Sequence, residues 1–177
     1  MKLLFRILLT FDSLGLLYIV YLINNKIRIP FFIDENISYF IYIIALIGFT
    51  GMCLLISSKL SRDTIQGGIV EIESANNSYL STYLGYFFVA LGITDYNTLF
   101  WVFIIIFIFT FNSQNLFFNP MFLLYGYKFY YVKIKNGKKI FVISKKEIRT
   151  TKDADFTELL RINDYTFIDR RKKKWIT

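Results

Sequence analysis

Four apolar stretches, separated by short polar breaks, fill the first two-thirds of the chain. The first, Leu3 to Ile23, is interrupted by Arg6 and Asp12, whereas the second, Ile37 to Ser57, carries no charge at all. The third, Tyr79 to Ile93, is shorter and holds Ser81, Gly85, Ala90 and Gly92; the fourth runs from Thr98 to Phe118. A bilayer core of about 30 Å takes roughly 20 apolar helical residues to cross. The pattern therefore predicts four transmembrane helices, over 3–23, 37–57, 79–93 and 98–118. Asp95-Tyr96-Asn97 leaves room only for a tight turn, so the third and fourth segments form a helical hairpin. Ala45, Gly48 and Gly51 on the second segment, and Ser81 and Gly85 on the third, are small-residue strips that let helices approach closely. No small-x-small cleavage site follows the first segment, which argues against a removable signal.

After Gly126 the period changes from helical to alternating. Tyr127–Lys135 and Lys138–Ser144 flank Asn136-Gly137, a hairpin signal, so 127–144 is expected to fold back on itself. A two-residue loop would pair Ile134 with Lys139, Val132 with Phe141 and Tyr130 with Ile143. A lone hairpin is marginal, so further strands are expected at 165–168 and at 69–73, within a cytoplasmic loop 59–78. Asp155-x-x-Glu158 resembles a capping box and predicts a short helix over 156–162. The expected fold is an integral membrane, mainly α protein. Its four-helix transmembrane domain, 1–125, precedes a small cytoplasmic α+β domain, 126–177, built on the hairpin.

Composition agrees with a membrane class. Of 177 residues, 55% are hydrophobic and only 19% charged, low for a soluble domain. Charge is also unevenly placed: residues 1–125 are net −1 and residues 126–177 net +9. Lys2 and Arg6 lie at the N-terminus, Lys59 and Arg62 follow the second segment, and the basic tail follows the fourth. Lys26 and Arg28 are offset by Asp34 and Glu35. The positive-inside rule then puts both termini in the cytoplasm of a multi-pass inner-membrane protein.

Candidate chemistry is bounded by absences. There is no His, so the usual metal sites, a Ser-His-Asp triad and a Cys-His pair are excluded, and no metal or cofactor is expected. The single Cys53 lies in an apolar run, and no GxxxxGK[ST] or GxSxG motif occurs. The chain is expected not to be an enzyme.

Two sets of residues stand out instead. Inside the membrane body, Asp12 costs about 2.5–3.5 kcal/mol unless it faces protein or water. It reads either as a pore-lining or switch residue, or as a structural carboxyl hydrogen-bonded between helices. Asn112, Ser113, Gln114 and Asn115 form a polar run before Asn119-Pro120, read either as a polar vestibule or as a helix leaving the membrane. On the cytoplasmic side, Lys133, Lys135 and the run Arg170, Arg171, Lys172, Lys173, Lys174 are candidate contacts for lipid headgroups or an acidic partner. Phosphate contacts to nucleic acid are also open to them, with no sequence-specific readout.

Tyr83-Leu84-Gly85-Tyr86-Phe87-Phe88-Val89-Ala90-Leu91 follows Glu73-Ser74-Ala75-Asn76-Asn77, and Asn119-Pro120 leads into Gly126-Tyr127-Lys128-Phe129-Tyr130. These stretches resemble the KwaA family, the small membrane subunits of Kiwa anti-phage defence systems, over about residues 67–145. The resemblance implies a tetrameric homo-oligomer in the inner membrane. It also implies a protein that senses phage-induced membrane disturbance and works with a cytosolic effector of the KwaB kind.

Two functions follow from these readings: a non-enzymatic sensor or scaffold that recruits a cytosolic effector, and a small oligomeric channel or pore. A lipid-directed enzyme lacks an acid–base constellation, and transport lacks an inverted repeat.

Overall fold

The structure, a computed structural model, describes residues 2–31, 34–65, 68–76, 78–113, 119–151, 154, 156 and 158–171. Helix α1 spans Lys2–Asn24 and α2 spans Glu35–Ile56, followed by a single 3-10 turn at Ser57–Lys59. Strands β1 (Arg62–Asp63) and β2 (Ile69–Ser74) precede helices α3 (Ser78–Gly92) and α4 (Tyr96–Asn112). A short α5 (Met121–Leu124) leads into β3 (Lys128–Ile134), β4 (Lys139–Ser144), β5 (Leu159–Arg161) and β6 (Thr166–Asp169).

Among the described residues two helices, not four, are long and apolar enough to cross a membrane: Leu3–Asn24 in α1 and Glu35–Lys59 around α2. With 15 and 17 residues, α3 and α4 reach only about 22 and 26 Å at 1.5 Å per residue, short of the hydrocarbon core. The expected four-span architecture with a small appended domain is overturned. The apolar run that begins at Thr98 is longer than the helix it supports, because Ser113 is already extended (ψ 127°) and closes α4. Among the described residues the strands form one six-stranded mixed sheet, in the order β1-β5-β6-β4-β3-β2. All its pairings are antiparallel except β4 with β6.

Two helix starts are set by carboxylates. Asp34 accepts from the Asn36 backbone N–H at 2.9 Å and opens α2; Asp95 accepts from Thr98 N–H at 2.9 Å and opens α4. Those hydrogen bonds to the charged form hold Asp95 below the ordinary carboxylate range. Helix α1 is central. It packs against α2, α3 and α4, and Leu14 and Leu17 are fully buried.

The hairpin turn differs from the Asn-Gly reading by one residue. Gly137 N–H bonds Ile134 O, and Ile134 N–H bonds Lys138 O. Only Gly137 in this turn is left-handed (φ +81°), the signature of a three-residue loop with a bulge at its last residue. Val132 therefore faces Ile140 and Tyr130 faces Val142, instead of Phe141 and Ile143. The segment expected as a helix over 156–162 supplies strand β5, with Leu160 between Arg62 and Ile168.

This register sorts the side chains. Phe129, Phe141, Ile143 and Ile168 face the helices, where they share one core with Phe5, Leu9, Cys53, Leu54 and Phe122. Tyr130, Val132, Ile140, Val142 and Phe167 form a second core on the other face, with Ile148, Phe156 and Leu159. The strands that flank the sheet both come from the link between α2 and α3. Six strands laid flat would hold their outer edges about 24 Å apart, whereas the chain from Asp63 to Ile69 reaches at most about 22 Å. The sheet therefore curls around its second core, and Ile65 packs into that core as the link passes.

Candidate functional site

Three polar residues from distant parts of the chain meet inside the helical body. Asp12 of α1 is 1% exposed. One carboxylate oxygen accepts from the Thr50 hydroxyl of α2 at 2.8 Å, and the other accepts from the Asn119 side-chain amide. The Asn119 carbonyl oxygen is taken by Met121 N–H at 2.9 Å, so its amide nitrogen is the atom left to face Asp12. One residue thus starts α5 and grips α1 at the same time. The sequence leaves the partners of Asp12 open, and the structure supplies them from α2 and from the residue that precedes α5.

Further bonds tie the same region together. Tyr125 donates to Ile47 O at 2.7 Å, and Gly51 makes room for it: a Cβ there would lie 2.6 Å from the Tyr125 hydroxyl. Tyr83 of α3 donates to Ser13 O at 3.0 Å. Arg6 donates to Phe111 O at 3.0 Å and lies 4.8 Å above the Phe111 ring, placing a cation on the carbonyl end of α4. The junction between helices and sheet is therefore closed by polar bonds as well as by the aromatic core.

The other predicted residues do not join it. Asn112 bonds Ile108 O, one turn back on its own helix, and is exposed. Gln114 and Asn115 lie outside the described residues, as do Lys172, Lys173 and Lys174. Lys133 pairs with Glu71 at 3.9 Å across the sheet, while Lys135 N–H bonds Gly68 O. Arg171 forks onto the fully buried Asp169, through Nε at 3.1 Å and Nη2 at 3.3 Å. Arg170 hydrogen-bonds Tyr127, opposing the burial that raises the phenol above its ordinary value. Thr50, Asn119, Tyr125 and Arg62 were not singled out by sequence as site residues. Asn119-Pro120 carried a signal, but read as the end of a helix.

Among the described residues, no group of three or more His, Cys, Asp or Glu is placed to hold a metal ion, and Cys53 is buried beside the junction. The Asp12 cluster offers no exposed nucleophile. Its chemistry is that of a lock between segments.

The family model for the anti-phage protein KwaA matches residues 5–168, which include most of α1, the junction and nearly the whole sheet. The chain belongs to the KwaA family. Its place in anti-phage defence follows from that membership. No curated protein and no solved structure matches the chain. Within a KwaA-family protein, the Asp12–Thr50–Asn119 lock sits where the two membrane-length helices meet the segment that enters the sheet.

Proposed function

We propose that the protein is a non-enzymatic inner-membrane sensor or scaffold subunit of its defence system, held in lipid by α1 and α2. It assembles with copies of itself, a tetramer by resemblance to its family, and uses the sheet to recruit or regulate a cytosolic effector of the KwaB kind. Support for the membrane part is the outer surface of α2, where Phe40, Ile44 and Leu55 are each about two-thirds exposed. Side chains that large are at home in hydrocarbon. With two crossings, Lys2 and Arg6 share a side with Lys59, Arg62 and the sheet, so positive-inside bias puts both termini in the cytoplasm.

The observation that carries the reading is the continuity of the first core. Phe5 and Leu9 of α1 and Leu54 of α2 pack in the same cluster as Phe129, Phe141 and Ile168 of the sheet. A tilt or separation of the two helices must move the platform with them, since close-packed interiors transmit displacement. That makes the sheet a reporter of the helices' state, suited to a sensor that acts through a bound effector.

The test is co-purification of an effector of the KwaB kind, co-expressed with this protein. Lys133→Glu combined with Lys135→Glu leaves the core untouched and reverses charge on the platform. Loss of the partner with normal membrane insertion supports recruitment through the sheet; undiminished capture rules it out.

A further inference from the structure

Three arginines converge beside the point where α2 ends. Arg62 of β1, Leu160 of β5 and Ile168 of β6 are side by side in register, so their side chains share the helix-facing side of the sheet. Alternation puts Glu158, two residues before Leu160, and Arg170, two after Ile168, on that side as well. With Ser58 and Arg171 they line a recess of about 280 Å³. Ser58 is two residues beyond the last residue of α2, Ile56, which sets the recess at the level where that helix leaves the apolar layer.

We propose that this recess is a phosphate-binding site. Guanidinium groups present planar forks that match phosphate oxygens, and three of them face a single lining carboxylate, Glu158. Arg171 is pre-set by its fork on Asp169, and Arg170 by its bond to Tyr127. The Arg62 guanidinium is exposed and, among the described residues, has no ion-pair partner. The nearby Asp169 charge is shared with Lys146 at 4.0 Å, so the cluster keeps a net positive charge. Ser58 donates to Leu55 O at 2.7 Å and completes the wall of the recess.

A phosphate group reaches such a place from two sources, an anionic phospholipid or a soluble phosphate compound. The lipid source rests on α2 crossing a membrane, whereas the soluble source does not. The full-length protein in mild non-ionic detergent is titrated with inorganic phosphate by calorimetry, and separately with phosphatidylglycerol by native mass spectrometry. Affinity for one probe or both is expected to fall at least tenfold in Arg62→Gln/Arg170→Gln. The same probe should bind about threefold tighter to Glu158→Gln and unchanged to Lys138→Gln, a turn lysine outside the recess.

Loss confined to phosphatidylglycerol identifies a headgroup site, and loss confined to inorganic phosphate a soluble ligand. Arg62→Lys keeps the charge without the fork and should retain an intermediate affinity, which guards against loss through misfolding. Equal binding by wild type and the double variant, or an equal fall in Lys138→Gln, overturns the proposal. Failure of the protein to insert in a membrane, with phosphate binding intact, would overturn the membrane reading alone.

Discussion

The two ends of α1 are packed on different principles. At its N-terminal end Phe5 and Leu9 are 2% exposed, enclosed by the sheet, α2 and Phe122, with the Asp12 lock immediately above. Further along, a groove of about 550 Å³ opens over Phe11, Gly15 and Tyr18, bounded by Leu46 and Phe49 of α2 and by Phe100 and Phe103 of α4. A second hollow of similar size shares Gly15, Tyr18, Leu46, Phe49 and Tyr96 with it. One end is a fastened joint and the other has room to close or widen. Motion of α2 relative to α4 has its free volume away from the sheet and its pivot beside it.

Core truncations should separate the two ends most sharply. Phe129→Ala, at a fully buried position, is expected to destabilise by about 3–5 kcal/mol, whereas Phe103→Ala at the groove should cost about 1 kcal/mol or less. Thermal unfolding in detergent, followed by far-ultraviolet circular dichroism, measures both; equal losses would erase the contrast. Next comes the lock. Asn119→Ala strips Asp12 of a donor and Met121 N–H of its acceptor, costing about 1–3 kcal/mol, while Asn112→Ala should be nearly silent.

Glycine substitutions sharpen the comparison within α2. Gly51→Ala should push Tyr125 off Ile47 O at a cost of about 0.5–1.5 kcal/mol. Gly48→Ala, with nothing within 4 Å, should be neutral or stabilising by up to about 1 kcal/mol through helix propensity. If both glycines respond alike in the same unfolding assay, Tyr125 is not held as described.

The smallest effect lies on the platform. A hydrogen bond and charge attraction from Lys128, at 3.3 Å, lower the Glu147 carboxyl below its ordinary value. A depressed folded value means the pair stabilises above the unfolded value of 4.5 and loses its contribution as pH falls through the lower folded value. Glu147→Gln should therefore be slightly less stable than wild type at neutral pH and indistinguishable from it in acid. A difference that persists in acid would sink this assignment.

How much of this was legible follows the range of the interactions. Alternation after Gly126 and the Asn136-Gly137 signal are local, and they located the hairpin, but Gly137 alone took the left-handed conformation and shifted the register by one residue. Asp12 was legible as a buried charge in need of partners; Thr50 and Asn119, 38 and 107 residues away, were not. β5 is three residues long and owes its conformation to Arg62 and Ile168 on either side, so the capping-box pattern at Asp155 dominated the local reading. The ends of α3 were read to within one residue, but the end of α4 was missed because hydropathy reports what a segment prefers to touch, not where its helix stops.

The outermost strands of the sheet carry a temporal consequence. β1 and β2 emerge from the ribosome before any strand they pair with, because their partners β5 and β3 lie beyond α3, α4 and α5. During synthesis β2 must wait for its partner while about fifty further residues are made and β1 while about ninety-five are, so the sheet can be completed only once the C-terminal strands arrive. A chain stalled before β3 would thus display two bare ribbons at the ribosome exit, a natural foothold for a chaperone.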